Sequence, residues 1–289
     1  MRIRRMLETS EPCFSYEFFP PKTEAGLRKL YGRIEHLSEL NPSFVSVTYG
    51  AGGGSRQRTV AMAQHIKKEI GIEVLAHLTC VGHTRAELEE LLDELVDVGV
   101  ENILALRGDR HDEVSEGELL YARELVALAR KRHPHLCIGA ACYPETHLES
   151  PSPEHDLRWT KEKVDAGVDF LITQLFFQNS SYSKFAMQAN ALGIDVPIVP
   201  GLMPITNVKQ IERFARMCGA QTPAVLFDRL RKWEHDEQAV MALGMEWAIQ
   251  QGRELLSFGV PGLHFYTLNS SLATRVVHTS LGGRGRWSA

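Results

Sequence analysis

The sequence has no run of eighteen consecutive apolar residues, so no segment is built to cross a bilayer as a helix. It has no excess of positive charge. Its 32 Lys and Arg stand against 36 Asp and Glu, a formal net charge of -4, which removes the electrostatic case for nucleic acid or an anionic membrane as a partner. The basic start, Met1-Arg2-Ile3-Arg4-Arg5, has no apolar stretch behind it. Glu8-Thr9-Ser10-Glu11 follows instead, which argues against a secretory signal. There is no C-x-x-C, and the five cysteines (Cys13, Cys80, Cys137, Cys142, Cys218) are odd in number. Three of them fall in apolar, strand-like runs and read as small core residues. Reduced thiols in a cytoplasmic protein are the simplest account.

Two glycine signatures are also missing. The glycines at 50, 52, 53 and 54 give way to Ser55 where G-x-G-x-x-G needs a third glycine, so a classical dinucleotide fold is unsupported. No G-x-S-x-G marks a nucleophilic serine. No low-complexity linker divides the chain. Residues 1–289 therefore read as one domain, with 281–289 expected as a flexible tail.

What the sequence does have is a soluble globular composition, 44% hydrophobic and 24% charged, and a regular alternation. Short β-rich runs are expected near 13–19, 44–48, 74–78, 103–106, 137–142, 170–174, 197–202 and 262–266. Segments of helical period separate them: 25–40, 59–70, 84–98, 119–132, 154–166, 180–191 and 207–218, with a last helix from Ser270 or Ser271. Thr84 and Glu87 are spaced for a capping box. The stretch 223–256 is extra helical material. The strand runs are apolar on both faces, as parallel strands under helices should be. The fold class is α/β: a single (β/α)8 TIM barrel with an extra helical segment between strands 7 and 8. A doubly wound open sheet is the runner-up.

In such a barrel the chemistry gathers at the C-terminal ends of the strands. Those ends carry Glu17, Thr48, His77, Arg107 with Asp109, Tyr143 and Gln174. The last loops add Pro204, Thr206, Asn207, Thr267 and Asn269. Few of these are metal-ligand types. His264 falls inside its run, and His133-Pro134-His135 precedes strand five at the opposite end, so no metal site is expected. The focus is Ser15-Tyr16-Glu17-Phe18-Phe19-Pro20-Pro21-Lys22, where one acid sits in an aromatic run that prolines stop. Alternation puts Ser15, Glu17 and Phe19 on one face. A carboxyl projecting into a barrel sheds hydration, which favours its protonated form and suits a general acid. The plainer alternative is an ion-pair partner for a nearby Arg or Lys.

Eight stretches occur in order: 15–22, 44–51 (FVSVTYGA), 77–80 (HLTC), 104–109 (LALRGD), 143–147 (YPETH), 172–177 (ITQLFF), 200–205 (PGLMPI) and 264–269 (HFYTLN). Together they resemble the catalytic barrel of the methylenetetrahydrofolate reductase family, bacterial type, over residues 12 to 282. The resemblance implies FAD, NADH or NADPH as electron donor, 5,10-methylenetetrahydrofolate as substrate, ping-pong kinetics and a homo-oligomer. It implies no regulatory domain of the eukaryotic kind. Glu17 matches the family's acid, which protonates N10 of the folate. Asp109 matches an aspartate near the flavin and the folate. Thr48, Gln174, Gln210 and Phe214 match substrate contacts. For FAD the matched positions are Thr48, His77, Leu106, Arg107, Gly108, Asp109, Tyr121, Ala122, Tyr143, His147, Asp156 and Lys163, with Lys163 opposite the diphosphate. The chain departs from the family at Ser270, where relatives carry a basic residue that Arg275 is positioned to replace. It departs again at Trp159 and Glu162, where relatives carry polar and basic residues. Two alternatives stay open: flavin-independent hydride transfer from the nicotinamide, and a non-catalytic folate- or flavin-binding barrel subunit.

Overall fold

The computed structural model describes residues 1–49, 55–109 and 117–282. The expected glycine-rich loop at 50–54, the polar stretch 110–116 and the tail from 283 onward lie outside the described residues.

Among the described residues, nine parallel strands form one sheet: β1 (Cys13–Phe18), β2 (Phe44–Val47), β3 (Val74–Thr79), β4 (Asn102–Leu106), β5 (Cys137–Cys142), β6 (Phe170–Thr173), β7 (Ile198–Val199), β8 (Gly201–Leu202) and β9 (Gly262–Tyr266). Their order is β7-β6-β5-β4-β3-β2-β1-β9-β8. The two ends of that order, β7 and β8, are neighbours in the chain, separated only by Pro200. They are the two halves of the expected seventh strand, so the sheet closes as the (β/α)8 barrel. Pro200 divides the strand because it has no N–H for a ladder. Its carbonyl still accepts from His264 N at 3.0 Å.

The helices are α1 (Ile3–Leu7), α2 (Glu24–Ser38), α3 (Ser55–His65) running into a π-helical turn (Ile66–Ile70), α4 (Arg85–Asp97), α5 (Ala122–Arg132), α6 (Pro153–Asp165), α7 (Asn179–Ala191), α8 (Val208–Cys218), α9 (Ala224–Lys232), α10 (Glu237–Ser257) and α11 (Leu272–Ser280). The Thr84–Glu87 capping box forms at the start of α4. Glu87 N donates to Thr84 Oγ1 at 3.2 Å, and Thr84 N donates to the Glu87 carboxylate at 2.8 Å. Together they satisfy two of the amides a helix start leaves orphaned.

The core has three parts. Outward-facing strand residues such as Tyr16, Phe18, Val47 and Ala76 pack under the helix ring. Inward-facing Cys13, Phe44, Leu75, Leu104, Cys137 and Phe170 fill the bottom of the barrel. Helix α1 plugs that end with buried Ile3 and Leu7, and Ile3 N donates to Asn102 Oδ1 at 2.8 Å. A third cluster joins Leu175 and Phe177 to α8, α9 and the start of α10.

One assignment shifts. The stretch 223–256 was expected to be wholly additional, but α10 packs against α7 and α11 and so takes the seventh place in the outer ring. The added material is α8 and α9. The packing of α10 depends on Gly244, where a Cβ would lie 2.0 Å from the Ile205 carbonyl oxygen.

Candidate active site

The alternation of β1 places Phe14, Tyr16 and Phe18 outward and Ser15 and Glu17 inward. Glu17 is buried near the C-terminal end of its strand, 7% exposed. Its register partners are Ser46 on β2 and Tyr266 on β9; Ser15 is opposite His264. The loop after β9 clamps the strand end. Thr267 Oγ1 donates to the Glu17 carbonyl. Asn269 bonds Phe19 twice, accepting from its N–H and donating to its carbonyl, each at 2.9 Å.

The neighbours of the Glu17 carboxylate are histidines, not the arginine or lysine of the plainer alternative. Among the described residues, Oε2 lies 3.6 Å from His77 Nε2 and 3.7 Å from His264 Nε2. Burial pushes His77 down to about 4, although the Glu17 carboxylate pulls the other way, so the ring is neutral at pH 7. His264 was set aside in the sequence because it falls inside a run. Only the pairing of β9 with β1, across some 250 residues, brings it to Glu17.

On the β3–β6 side the matched positions form a second surface. Thr48 is buried and its N–H donates to Phe18 O at 2.9 Å. Leu106 ends β4. Gly108 turns at φ +90°, where a Cβ would meet Val81 Cγ1 at 2.4 Å, so only glycine fits. Asp109 is exposed beyond it. Arg107 does not pair with Asp109; its guanidinium grips Glu149 at 2.5 and 2.6 Å. Those bonds raise its already high affinity for a proton. Tyr143 stands edge-on to His147, with centroids 4.6 Å apart. Asp156 is buried and accepts from His147 N at 3.3 Å; burial pushes its carboxyl up. Lys163 turns inward and donates to Ala141 O at 2.6 Å, 6.0 Å from the centre of the Tyr143 ring. Burial pushes its ammonium down. Lys161 faces outward to Asp165. Exposed Tyr121 and half-buried Ala122 open α5, and Arg123 stacks on Tyr121 while pairing with Glu162.

The remaining matched residues lie on the far side. Gln174 accepts from Leu175 N at 2.8 Å. Gln210 is exposed on the first turn of α8, and Phe214 is half-buried one turn later. Cys218, at the end of that helix, is pushed up to about 11, chiefly by burial and further by the Asp109 and Glu17 carboxylates. Arg275 does not take the place of the missing basic residue. It donates to His36 O and pairs with Glu39, on the outside of the barrel.

No group of three or more metal-ligating side chains occurs among the described residues, and none of their helices is long and apolar enough to cross a membrane. The mouth of this TIM barrel thus carries a buried strand carboxylate beside two histidines, a second buried carboxylate at Asp156, the cations Arg107 and Lys163, and several flat rings.

Comparison with known proteins sharpens that description. The family model for methylenetetrahydrofolate reductase matches residues 2–282. The chain is 40% identical over 269 residues to the 5,10-methylenetetrahydrofolate reductase of Pectobacterium carotovorum subsp. carotovorum, covering 92% of this chain and 89% of that one. It is 39% identical to the Escherichia coli (strain K12) enzyme of the same name, covering 93% and 90%. It is also 36% identical to methylenetetrahydrofolate reductase (NADH) 1 of Arabidopsis thaliana, matching 97% of this chain and 50% of that one. The chain belongs to the methylenetetrahydrofolate reductase family. Among solved structures, a Clostridium thermocellum protein that binds two copies of 5-methyl-5,6,7,8-tetrahydrofolic acid has the same fold, with a TM-score of 0.71 at 15% identity over 97% of this chain and 98% of that one.

Proposed function

We propose that this reductase converts 5,10-methylenetetrahydrofolate to 5-methyltetrahydrofolate, with NADH or NADPH as electron donor and FAD as carrier in a ping-pong cycle. The observation that carries the reading is the placement of Glu17: a single carboxylate on a barrel strand, buried at the mouth, in a chain of this family.

The residues present fit a flavin dinucleotide. Gly108 leaves backbone without a side chain at the rim, and Arg107 and Lys163 provide cations for a diphosphate. Tyr121, Tyr143 and His147 offer flat faces, while Thr48, His77, Leu106, Asp109, Ala122 and Asp156 complete the surface. Bound there, FAD supplies the hydride chemistry that no side chain can perform. The chain's own part is acid–base and electrostatic. Glu17 gives a proton to N10 of the folate, so that the methylene bridge opens to an N5 iminium. General acid catalysis of this kind is worth roughly 10²–10⁴-fold. Asp109 sets a negative charge near that cation. Gln174 and Gln210 bond the pterin and its neighbours, and Phe214 stacks on a flat ring.

A second reading, hydride transfer without a flavin, draws on Trp159 and Glu162: Trp159 is exposed on α6 and Glu162 is taken up by Arg123. One experiment separates the two. The purified protein is expected to show a flavin absorbance band that bleaches with NADH under anaerobic conditions and returns on adding methylenetetrahydrofolate. A colourless protein that still oxidises NADH only when the folate is present selects the second reading. Replacement of Glu17 by Gln is expected to abolish folate reduction; full activity in that variant overturns the acid role.

A further inference from the structure

The loop after β5 turns through Thr146, whose φ is +73°. A β-branched residue rarely adopts that left-handed conformation, and it persists only where the surroundings over-determine it. Here both neighbours of Thr146 are pinned. On one side the His147 amide donates to the buried Asp156 carboxylate at 3.3 Å, and the Glu149 amide donates to His147 Nδ1 at 3.1 Å. On the other side Glu145 commits both carboxylate oxygens to distant parts of the chain. Its Oε1 accepts from Ser181 Oγ, on the first turn of α7, at 2.7 Å. Its Oε2 accepts from the Gln221 amide, between α8 and α9, at 2.8 Å. An apolar contact runs beside these bonds. A Cβ at Gly219 would lie 2.8 Å from Leu148 Cδ2 and 3.8 Å from Thr146 O.

Helix α8 is the element that such a contact supports. It stands outside the barrel ring, and its buried residues Val208, Ile211 and Ala215 pack into the cluster with Leu175, Phe177 and α9. Its start is fixed by the Asn207 cap, where Oδ1 accepts from Gln210 N at 2.9 Å. Its end is closed by Gly219 at φ +71°, and the Gly219 and Ala220 amides both bond Ala215 O. The next amide along is Gln221, the one that Glu145 takes. The link from the last turn of α8 to Glu145 therefore contains no slack segment. Both bonds to Glu145 have a charged acceptor, which makes them stronger than neutral ones.

We propose that Glu145 is a positioning residue that braces α8 against the loop carrying Tyr143 and His147, and so sets the width of the slot for the nicotinamide and folate rings. The inference rests on the reading of Gln210 and Phe214 as contacts to those rings. The two ring ligands use the slot in turn, so the brace acts on both. It touches neither the acid nor the reacting carbon, so it acts on binding more than on the chemical step. The flavin side keeps its own fastenings, Asp156 on the His147 amide and Glu149 on Arg107, when Glu145 is removed.

Glu145→Ala deletes both bonds. Glu145→Gln retains the means for both, because its amide oxygen accepts from the Gln221 N–H and its NH₂ donates to Ser181 Oγ. Stopped-flow measurement of flavin reduction by NADH and of flavin reoxidation by methylenetetrahydrofolate gives an apparent Kd and a limiting rate for each. In Glu145→Ala both Kd values are expected to rise about tenfold, the effect of losing a charge-assisted hydrogen bond, with limiting rates within about threefold of the parent. Glu145→Gln is expected to restore most of the affinity. Ser181→Ala, which removes one bond, is expected to raise both Kd values about threefold, and it carries the comparison if Glu145→Ala does not fold. FAD affinity, read by fluorescence titration, is expected to stay within about twofold in every variant. A fall in FAD affinity in step with ring binding, or unchanged Kd values, overturns the positioning role. Hydrogen exchange read by mass spectrometry is independent of activity. In Glu145→Ala the amides of α8 are expected to exchange about tenfold faster, with those of α5 unchanged. Equal exchange in variant and parent overturns the brace whatever α8 binds. Faster exchange in α8 with unchanged Kd values overturns the positioning role by removing Gln210 and Phe214 from the ring contacts.

Discussion

The Arg107 guanidinium and the Glu149 carboxylate face each other as a two-pronged fork at the rim of the barrel, one prong 2.5 Å and the other 2.6 Å. Arg107 is also the cation nearest the Gly108 turn, so Glu149 holds the group that an incoming phosphate would want. Glu149→Gln weakens that hold. FAD affinity, read by fluorescence titration of the apoprotein, is expected to tighten by about fivefold, the equivalent of a partly exposed ion pair of roughly 1 kcal/mol. Unchanged affinity would show that the pair does not compete with the cofactor.

Lys163 makes the opposite prediction. Its ammonium is turned inward onto the Ala141 carbonyl. Lys163→Met keeps the length and removes the charge. FAD binding should weaken by roughly 10–100-fold, as expected for the loss of a charge-assisted contact. Thermal stability should hold, because the variant no longer buries an ammonium. Full FAD affinity in the variant would remove Lys163 from the binding surface.

His278 sets a pH dependence far from the mouth. Its Nδ1 is 2.6 Å from the Tyr16 hydroxyl, and burial lowers its pKa from 6.5 to about 4. Between those values the unfolded chain binds a proton that the folded chain does not. The sign follows: folding stability is lost as pH falls from 6.5 towards 4. From pH 7 to pH 5 this group alone costs about 2 kcal/mol. Urea unfolding of His278→Gln at the two pH values should show a drop smaller by that amount. Parallel behaviour of variant and parent would refute the assignment.

Gly244 tests the placement of α10. A methyl group there runs into the Ile205 backbone, which has no flexible end to move aside. Gly244→Ala is expected to cost about 1–3 kcal/mol, in the range of core overpacking, despite alanine's better helix propensity. A melting temperature at or above that of the parent would mean that α10 is free to lift off the barrel.

How legible this was depended on the distance over which each signal acts. The inward turn of Ser15 and Glu17 follows from a two-residue period and a proline stop, both local. Thr84 and Glu87 announce a helix start three residues long, and it forms as written. His264 is different. Nothing near it in the chain distinguishes it from a core histidine, and its role exists only through the pairing of β9 with β1. The Glu149 partner of Arg107 is hidden for the same reason, since the two lie 42 residues apart on separate loops. Helix α1 has five residues and a charged sequence, too short to show a period. The division of 223–256 between α9 and α10 depends on which helix finds the gap beside α7, a matter of packing rather than of pattern.

The interruption at Pro200 has a mechanical consequence. Upstream of it the chain is stitched to β6; downstream it is stitched to β9. Helix α8, with Gln210 and Phe214, therefore hangs from the same pair of strands that carries His264, and the His264 amide is itself fastened to the Pro200 carbonyl. A pull on that helix by a bound ring reaches the neighbourhood of Glu17 through a single short ladder. From β9 the ladder runs on without a break through β1 and β2 to β3 and round to β7. Pro200 is thus the single point among the described strands where the ring is closed by the chain itself and not by a ladder, and it stands beside the strand that carries His264.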